Sequence, residues 1–363
     1  MAKNLVKIRL AAIAVMLVFF LGGFEVLLRF AAPIPVTGIQ YAPCNLVPSK
    51  EFGALYIPNS TDQFMRLNEI DLKFHVNNLG FHDTDRQIEK REAFRIVVVG
   101  DSFTASRQVE ISKTWTQKLE LILKNRLNKP LEVINLGLSG TGTVIHQKLL
   151  QRFSSLLKPD LIIYQYTVGN QQDDMYPNII KECYRNFFMV YQNNEARQKI
   201  LTRVREIHRN AWWGFIVKHS YVARAVNYYF DWWPLTNIFR QDSFGYKWTV
   251  EKSPIPVEKV LRNMQNNALS EGSQFVILPI PIKGLGSSSE PIAIDSYEDI
   301  EIAAKLTGIK LIDIRKELIT TAMTKGVSTR SYFWKYDGHY NEAGNSALAA
   351  AIAEKLINID IIK

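Results

Sequence analysis

The stretch Phe94–Thr104, with the sequence FRIVVVGDSFT, joins a run of β-branched residues to a Gly-Asp-Ser turn. A short apolar run of this kind is typical of a buried strand. The turn would then carry the hydroxyl of Ser102 to the edge of a sheet, where a substrate can reach it. Gly, Asp and Ser are also ordinary turn residues, so a helix cap by Ser102 is the alternative interpretation at this point.

From Phe94 onward, short apolar runs alternate with amphipathic stretches, a pattern typical of a parallel sheet with helical crossovers. The predicted strands cover residues 94–99, 131–136, 160–166, 274–280 and 309–314. The predicted helices cover residues 113–127, 143–157, 257–270, 297–306, 314–324 and 341–358. We therefore expect an α/β fold with a flavodoxin-like, doubly wound parallel sheet.

Ligands bind beyond the carboxyl ends of the strands in such sheets, so the residues after each strand are the candidates for chemistry. Ser102 follows the first predicted strand, Gly140 lies after the second and Asn170 after the third. Asp337 and His339 precede the last predicted helix. The topology is expected to bring all five to one rim of the sheet.

These residue types suit acyl transfer. A serine hydroxyl becomes a nucleophile when an imidazole takes its proton and a carboxylate fixes the imidazole tautomer, roles for Ser102, His339 and Asp337. The tetrahedral intermediate needs donors for its oxyanion, which the N–H groups of Ser102 and Gly140 and the amide of Asn170 could supply. Taken singly, Gly140 and Asn170 are also ordinary turn residues, and His339 could cap the last helix.

Four separated blocks occur along the chain, namely Gly100–Phe103 (GDSF), Asn135–Gly140 (NLGLSG), Gly169–Asn170 (GN) and Asp337–His339 (DGH). With these blocks in this order, the chain resembles the SGNH or GDSL-type hydrolases, specifically their membrane-anchored bacterial branch. The resemblance covers about residues 75–358.

The resemblance implies that Ser102 is the nucleophile, that Gly140 and Asn170 complete the oxyanion hole, and that His339 and Asp337 complete the triad. The chain departs from the family pattern at two places. Gln171 follows Asn170 where the family usually has Asp, and a single residue separates Asp337 from His339 where the best-known members have two. A Gly-x-Ser-x-Gly nucleophile elbow, typical of the α/β-hydrolases, surrounds neither Ser102 nor Ser139.

Lys3, Lys7 and Arg9 precede an uninterrupted apolar segment, Leu10–Phe24, and counting on to Leu28 gives 19 residues. A helix of that length is about 28 Å long, enough to span a bilayer. A cleaved signal peptide is the alternative, although the residues that follow are poor for a cleavage site. We expect a single-pass anchor in the cytoplasmic membrane, with the amino terminus inside and the main domain outside, in the periplasm.

The chain is expected to have three parts: residues 1–32 as cytoplasmic stub and anchor, residues 33–88 as connector and small β segment, and residues 89–363 as the hydrolase-like domain. An aromatic and basic insertion at about residues 175–250 interrupts that domain. Its composition suits a membrane interface or a partner groove, and packing of its aromatic rings onto the sheet is the alternative. Cys44 and Cys183 would both lie outside the membrane, where they either pair or stay free.

The chain has 363 residues, of which 47% are hydrophobic, so it can bury a large core. Its formal charge of +9 comes from scattered Lys and Arg residues, which indicates an anionic membrane surface rather than nucleic acid as the partner. No Cys/His cluster has ligand spacing, so neither a metal nor another cofactor is predicted.

The predicted function is that of a serine esterase or O-acyltransferase acting on acyl esters, acetyl esters first, of cell-envelope glycans or lipids. The resemblance adds a multispanning membrane acyltransferase as a candidate partner. The alternative is a catalytically inactive SGNH-like subunit that serves as a scaffold or glycan-binding module in a membrane complex.

Overall fold

The computed structural model describes residues 2–31, 40–41, 45–49, 51–66, 69–168, 170, 212, 215–216, 219–226, 255–283, 297–335 and 337–362. They belong to two compact units. The smaller contains Met1–Tyr41, Met65–Asp71 and Glu195–Gly245, and the larger contains Ala42–Phe64, Leu72–Asn194 and Tyr246–Lys363. Both cysteines and most of the predicted insertion lie outside the described residues, and the predicted domain boundaries stay predictions.

The described strands, numbered β1 to β10 in chain order, are Gln40–Tyr41, Leu46–Ser49, Gly53–Tyr56, Thr61–Arg66, Ile70–His75, Phe94–Gly100, Leu131–Gly137, Leu161–Tyr166, Gln274–Pro279 and Lys310–Leu311. The described α-helices, numbered α1 to α9, are Ala2–Ala31, Ser102–Ala105, Trp115–Leu127, Thr143–Leu157, Tyr221–Val226, Val257–Ser270, Glu298–Thr307, Arg315–Thr324 and Glu342–Asn358. Two 3₁₀ turns cover Ile111–Lys113 and Thr329–Tyr332.

The larger unit is built on a five-stranded sheet with the order β10-β9-β8-β6-β7. All its neighbouring strands are parallel, and β6 pairs with β7 on one side and β8 on the other. The chain therefore reverses its direction of winding at β6, and the crevice at such a switch point is where open α/β sheets bind ligands. The predicted α/β fold with a doubly wound parallel sheet is confirmed.

Alternate side chains of a strand point to opposite faces of the sheet, so each strand contributes side chains to two hydrophobic cores. Val97 and Val99 of β6 belong to a core that includes residues of α4, α6 and α7. Ile96 and Val98 of the same strand belong to a second core that includes residues of α3, α8 and α9. Helices thus cover both faces, which explains why the strands read as continuous apolar runs.

Helices α4 and α6 have the predicted bounds, whereas the predicted strand 309–314 was wrong in its length. Only Lys310–Leu311 forms β10, at the edge of the sheet. Ile312 and Ile314 are buried in the second core, which contains residues of both strands and helices, and Asp313 accepts a hydrogen bond from the N–H of Arg315. The apolar run therefore continues past the point at which strand pairing ends.

In the smaller unit, α1 includes a 25-residue segment, Val6–Phe30, whose most apolar 18-residue window has a mean hydropathy of 2.4. It is long and apolar enough to cross a membrane, and none of its most apolar window is buried. Near its end Leu28 is buried, as is Ala223 of α5. In the same unit β1 pairs with the end of β4, Gln40 with Arg66 and Tyr41 with Met65.

Candidate active site

The turn after β6 places Ser102 at the first position of α2, where its hydroxyl is half-buried. Asp101 is the residue that caps this helix, because one of its carboxylate oxygens accepts from the N–H of Phe103 at 2.8 Å. The residue that caps α2 is therefore Asp101, and the alternative interpretation of Ser102 as a helix cap is wrong. The end of β7 lies directly against α2, and a Cβ on Gly137 would come within 2.2 Å of the Ala105 nitrogen.

Ser102, His339 and Asp337 form a connected chain of hydrogen bonds. The Oγ atom of Ser102 lies 2.8 Å from Nε2 of His339, and Nδ1 of His339 bonds to the Oδ1 atom of Asp337. The same Oδ1 atom accepts from the backbone N–H of His339 at 3.2 Å. The His339 side chain is 25% exposed and that of Asp337 is 5% exposed, so solvent reaches the base but hardly the carboxylate.

The loop that carries the imidazole is held from several directions. The His339 carbonyl accepts from the N–H of Trp334 at 2.9 Å. The ammonium of Lys283, just after β9, donates to the carbonyls of Trp334 at 2.9 Å and Lys335 at 2.6 Å. The Phe103 ring lies 4.7 Å from the His339 ring. These contacts restrict the imidazole to the orientation that faces Ser102.

Two backbone donors lie on neighbouring loops of this rim, one of them on the nucleophile itself. Among the described residues, the N–H groups of Ser102 and Gly140 have no acceptor. Gly140 is exposed and has a φ of +71°, and a Cβ there would meet nothing within 4 Å. The glycine is therefore required by its backbone conformation rather than by space. Both N–H groups remain available to an oxyanion.

The side chain of Asn170 is buried and already partnered. Its amide nitrogen donates to the Oδ2 atom of Asp101 at 2.9 Å and to the Thr141 carbonyl at 3.4 Å, and its oxygen accepts from the N–H of Thr167 at 2.8 Å. The 3.4 Å contact is at the weak limit for a hydrogen bond, so that amide hydrogen is the one an oxyanion could attract. Oxyanion stabilisation by Asn170 stays a prediction.

Asp101 is a second buried carboxylate near the nucleophile, and it does not bond to the imidazole. Burial raises its pKa, although the N–H of Phe103 and the amide of Asn170 stabilise its charged form. Its contacts position α2 and Asn170, whereas Asp337 holds His339. The structure therefore separates the two carboxylates into different roles.

Gln165 is a residue of the site that sequence reasoning missed. It is fully buried in β8, and its Oε1 atom accepts from the Thr104 hydroxyl at 2.7 Å and the Asp101 N–H at 3.2 Å. It thus ties β8 to the nucleophile turn. The signal was visible, because a single amide in the apolar run Leu161–Tyr166 must find a partner once it is buried.

His146 was also missed by sequence reasoning. It is fully buried in α4, and its Nε2 atom lies 2.9 Å from the Thr141 hydroxyl, which donates to the Leu138 carbonyl. Since that hydroxyl has one proton, Nε2 of His146 is the donor. Nδ1 has no partner among the described residues. Burial lowers the pKa of His146 to about 3, so a neutral imidazole supports the Gly140 loop.

The structure thus brings Ser102, His339 and Asp337 together, and it places Gly140 and Asn170 on the neighbouring loops of the same rim. Within the described ranges, no group of three or more His, Cys, Asp or Glu residues could hold a metal ion. The arrangement can move a proton from a serine hydroxyl to an imidazole and stabilise the resulting imidazolium. This is the chemistry of a nucleophilic serine.

No protein-family model and no curated protein matches this chain, but solved structures are similar to it in fold. The crystal structure of TesA has 14% identity and a TM-score of 0.41, with 73% of this chain and 99% of that chain covered. The lipase/acylhydrolase from Enterococcus faecalis has 16% identity and a TM-score of 0.39, with coverage of 73% and 96%. Axe2, an acetylxylan esterase from Geobacillus stearothermophilus, has 13% identity and a TM-score of 0.40, with coverage of 72% and 93%. These likenesses concern the fold alone.

Proposed function

We propose that this protein is a serine ester hydrolase or O-acyltransferase of the SGNH type, which works through an acyl-serine intermediate. The observation that carries the proposal is the hydrogen-bonded chain from Ser102 through His339 to Asp337, with 2.8 Å between Oγ and Nε2. Separated by 237 residues in sequence, Ser102 and His339 meet at the switch point of the sheet. The four sequence blocks, three of them at strand ends and the fourth before the last helix, point to the same SGNH family.

In the first half of the reaction, Oγ of Ser102 attacks the ester carbonyl carbon while its proton passes to Nε2 of His339. The oxyanion that forms accepts hydrogen bonds from the N–H groups of Ser102 and Gly140. The carboxylate of Asp337 stabilises the imidazolium. When the intermediate collapses, the C–O bond to the alcohol breaks and Nε2 returns the proton to the leaving oxygen, which leaves an acyl group on Ser102.

In the second half, His339 takes a proton from an incoming hydroxyl, which attacks the acyl carbon and releases Ser102 with its proton restored. If that hydroxyl belongs to water, the product is a carboxylic acid. If it belongs to a sugar or another alcohol, the product is a new ester. The same residues serve both outcomes, and access of the acceptor decides between them.

The proposed substrates are acyl esters, acetyl esters first, of cell-envelope glycans or lipids, with the protein anchored by α1 in the cytoplasmic membrane and the catalytic domain outside. The 25-residue apolar segment of α1 supports the anchor. So do the hydrogen bonds from Ser220 and Tyr221 to Glu25 within that segment, because a cleaved signal peptide would take Glu25 away from them. A multispanning acyltransferase that supplies acyl groups is the proposed partner.

The test is labelling of the full-length protein with a fluorophosphonate probe, together with turnover of a short-chain nitrophenyl ester. The wild type should be labelled and active, and Ser102→Ala should lose both. Ser270→Ala is the matched control, because that serine is exposed at the end of α6 and bonds only locally. A wild type that shows neither labelling nor turnover would favour the inactive scaffold or glycan-binding module.

A second measurement separates hydrolysis from transfer. The protein is incubated with an acetyl donor ester in the presence and absence of a deacetylated polysaccharide, and both free acetate and polysaccharide-bound acetate are measured. A hydrolase should release acetate at the same rate in both samples. A transferase should place acetyl groups on the polysaccharide, and the Ser102→Ala variant should do neither.

A further inference from the structure

Glu25 is an acidic residue inside the apolar segment Val6–Phe30, and both of its carboxylate oxygens are occupied. Oε1 accepts from the N–H of Tyr221 at 2.8 Å, and Oε2 accepts from the N–H of Val222 at 2.9 Å and from the Ser220 hydroxyl at 2.9 Å. The carboxylate thus accepts hydrogen bonds from the donors at the start of α5. A charged group in an apolar helix is costly unless it is paired in this way.

Arg29, one turn further along α1, completes the same set of contacts. Its Nε atom donates to Oε1 of Glu25 at 3.0 Å, and its other nitrogen donates to the His219 carbonyl at 2.8 Å. Its guanidinium carbon lies 5.2 Å from the centre of the Tyr221 ring. We call Glu25 and Arg29, with their partners in residues 219–222, the clasp. It joins the end of the apolar helix to α5 within the smaller unit.

The clasp lies at the depth of a membrane surface if α1 spans a bilayer. A 25-residue helix is about 37 Å long, compared with about 30 Å for the hydrocarbon layer. Each end therefore extends about 4 Å into the headgroups. Glu25 is five residues from the end of the segment, or about 7 Å, so it lies within a turn of the boundary, and Arg29 reaches the headgroups.

The residues just before the clasp expose large apolar side chains. Trp212 is 79% exposed, Phe215 is 59% exposed and Ile216 is 38% exposed. With His219 they are helical and follow the spacing i, i+3, i+4 and i+7, so they project from one side. The Phe215 and His219 rings stack at 4.4 Å. We call Trp212, Phe215 and Ile216 the apolar face.

We propose that the apolar face lies in the outer interface of the bilayer and that the clasp holds it there. The inference rests on the membrane anchoring proposed above. We infer that lipid contacts the apolar face, because this face adjoins the clasp and the clasp includes residues of the membrane-spanning helix. Its composition also fits, since Trp and Phe are favoured at the boundary between headgroups and acyl chains. The Arg29 guanidinium would face anionic headgroups at the same level.

The experiment places a nitroxide label on the full-length protein in vesicles of phosphatidylcholine and phosphatidylglycerol. Phe215→Cys is labelled in a background that carries Cys44→Ser and Cys183→Ser, and collisions with molecular oxygen and with a water-soluble nickel chelate are compared. Lys325→Cys, at the exposed residue directly after α8, is the reference for a water-exposed position. Glu25→Ala, combined with Phe215→Cys, removes the clasp without changing the apolar face.

We expect the label at position 215 to collide several-fold more with oxygen, relative to the chelate, than the label at position 325. Glu25→Ala should lower that ratio toward the reference value while the protein still floats with the vesicles. A label at position 215 that resembles the reference in the wild type would overturn the proposal. A label shielded from both reagents would also overturn it, since protein rather than lipid would then cover the face.

Two further outcomes separate this inference from the proposals on which it rests. If the wild type does not float with vesicles, the anchor itself is wrong and the interface position fails with it. If Glu25→Ala leaves the ratio at position 215 unchanged, the clasp does not hold the face. Fluorophosphonate labelling of Ser102 in each variant reports separately on the catalytic domain, because a folded site should still react when the clasp is lost.

Discussion

Replacement of His146 by Gln should remove a large part of the dependence of stability on pH. The imidazole is fully buried, and burial lowers its pKa from 6.5 to about 3. Between pH 6.5 and about pH 3, the imidazole is protonated in the unfolded chain but neutral in the folded protein. The free energy of unfolding therefore rises with pH over this range. His146 contributes stability that is present above pH 6.5 and is lost as the pH falls toward 3.

The magnitude follows from the two pKa values. Between pH ~7 and pH ~4.5, the loss attributable to His146 is about 2.5 kcal/mol, close to 1.4 kcal/mol for each pH unit below the unfolded pKa. A glutamine in the same rotamer can keep the donor to the Thr141 hydroxyl, which Nε2 of His146 now contacts at 2.9 Å. Glutamine does not titrate. If burial of its amide oxygen lowers the free energy of unfolding, it does so by the same amount at every pH.

The assay is denaturant unfolding of the full-length protein in detergent micelles, followed by tryptophan fluorescence at several pH values. Other titrating groups change both proteins equally, so the difference in unfolding free energy between wild type and His146→Gln is the quantity to plot. Tyr164→Phe is the matched control, because it removes a neighbouring hydroxyl that bonds to Thr143 and keeps the histidine. Its curve should run parallel to that of the wild type. A difference between wild type and His146→Gln that stays constant from pH ~7 to pH ~4.5 would refute the reasoning.

Three other substitutions test the site itself, and a fourth, Gly272→Ala, is a control away from it. Asp337→Asn should lower the turnover number of ester hydrolysis by roughly 10⁴-fold, because His339 loses the partner that fixes its tautomer. Gly137→Ala should lower the free energy of unfolding by about 3 kcal/mol or more, measured by denaturant unfolding, because the new Cβ would meet the α2 backbone at 2.2 Å. Gly140→Ala and Gly272→Ala, with φ of +71° and +74° and open space around both, should each cost about 1 kcal/mol of stability, but only Gly140→Ala should slow ester turnover.

The contrary results are equally definite. Wild-type turnover by Asp337→Asn would mean that this carboxylate does not orient the base. Normal stability of Gly137→Ala would show that β7 and α2 can separate without cost. Equal turnover by the Gly140 and Gly272 variants would remove the Gly140 loop from the oxyanion site, since the two positions share the same backbone cost and differ only in location.

Much of the fold could be predicted from local patterns. The run Ile96–Val99 is apolar at every position because helices cover both faces of the sheet, and the spacing of apolar residues in 143–157 and 257–270 predicted α4 and α6 with their observed bounds. The prediction was wrong at residues 309–314, because a buried apolar run has the same appearance whether it pairs as a strand or packs against helices. The sequence also did not show that Asp101, rather than Ser102, caps α2, since Asp and Ser are both good caps.

The sequence by itself determined the class of the fold and the apolar amino-terminal helix, because each depends on residues close together along the chain. It also named the five candidate rim residues, because each belongs to a short block that is recognisable on its own. Only the tertiary structure showed that a second buried carboxylate, Asp101, bonds to α2 and Asn170 and not to His339, since Asp101 and Asp337 differ in their surroundings rather than in their chemistry. It also revealed the parts played by Gln165 and His146, as well as the pairing of Glu25 with residues 195 or more positions away. Such contacts are set by burial, which leaves a polar group no alternative to a partner inside the protein, and burial is a property of the folded chain.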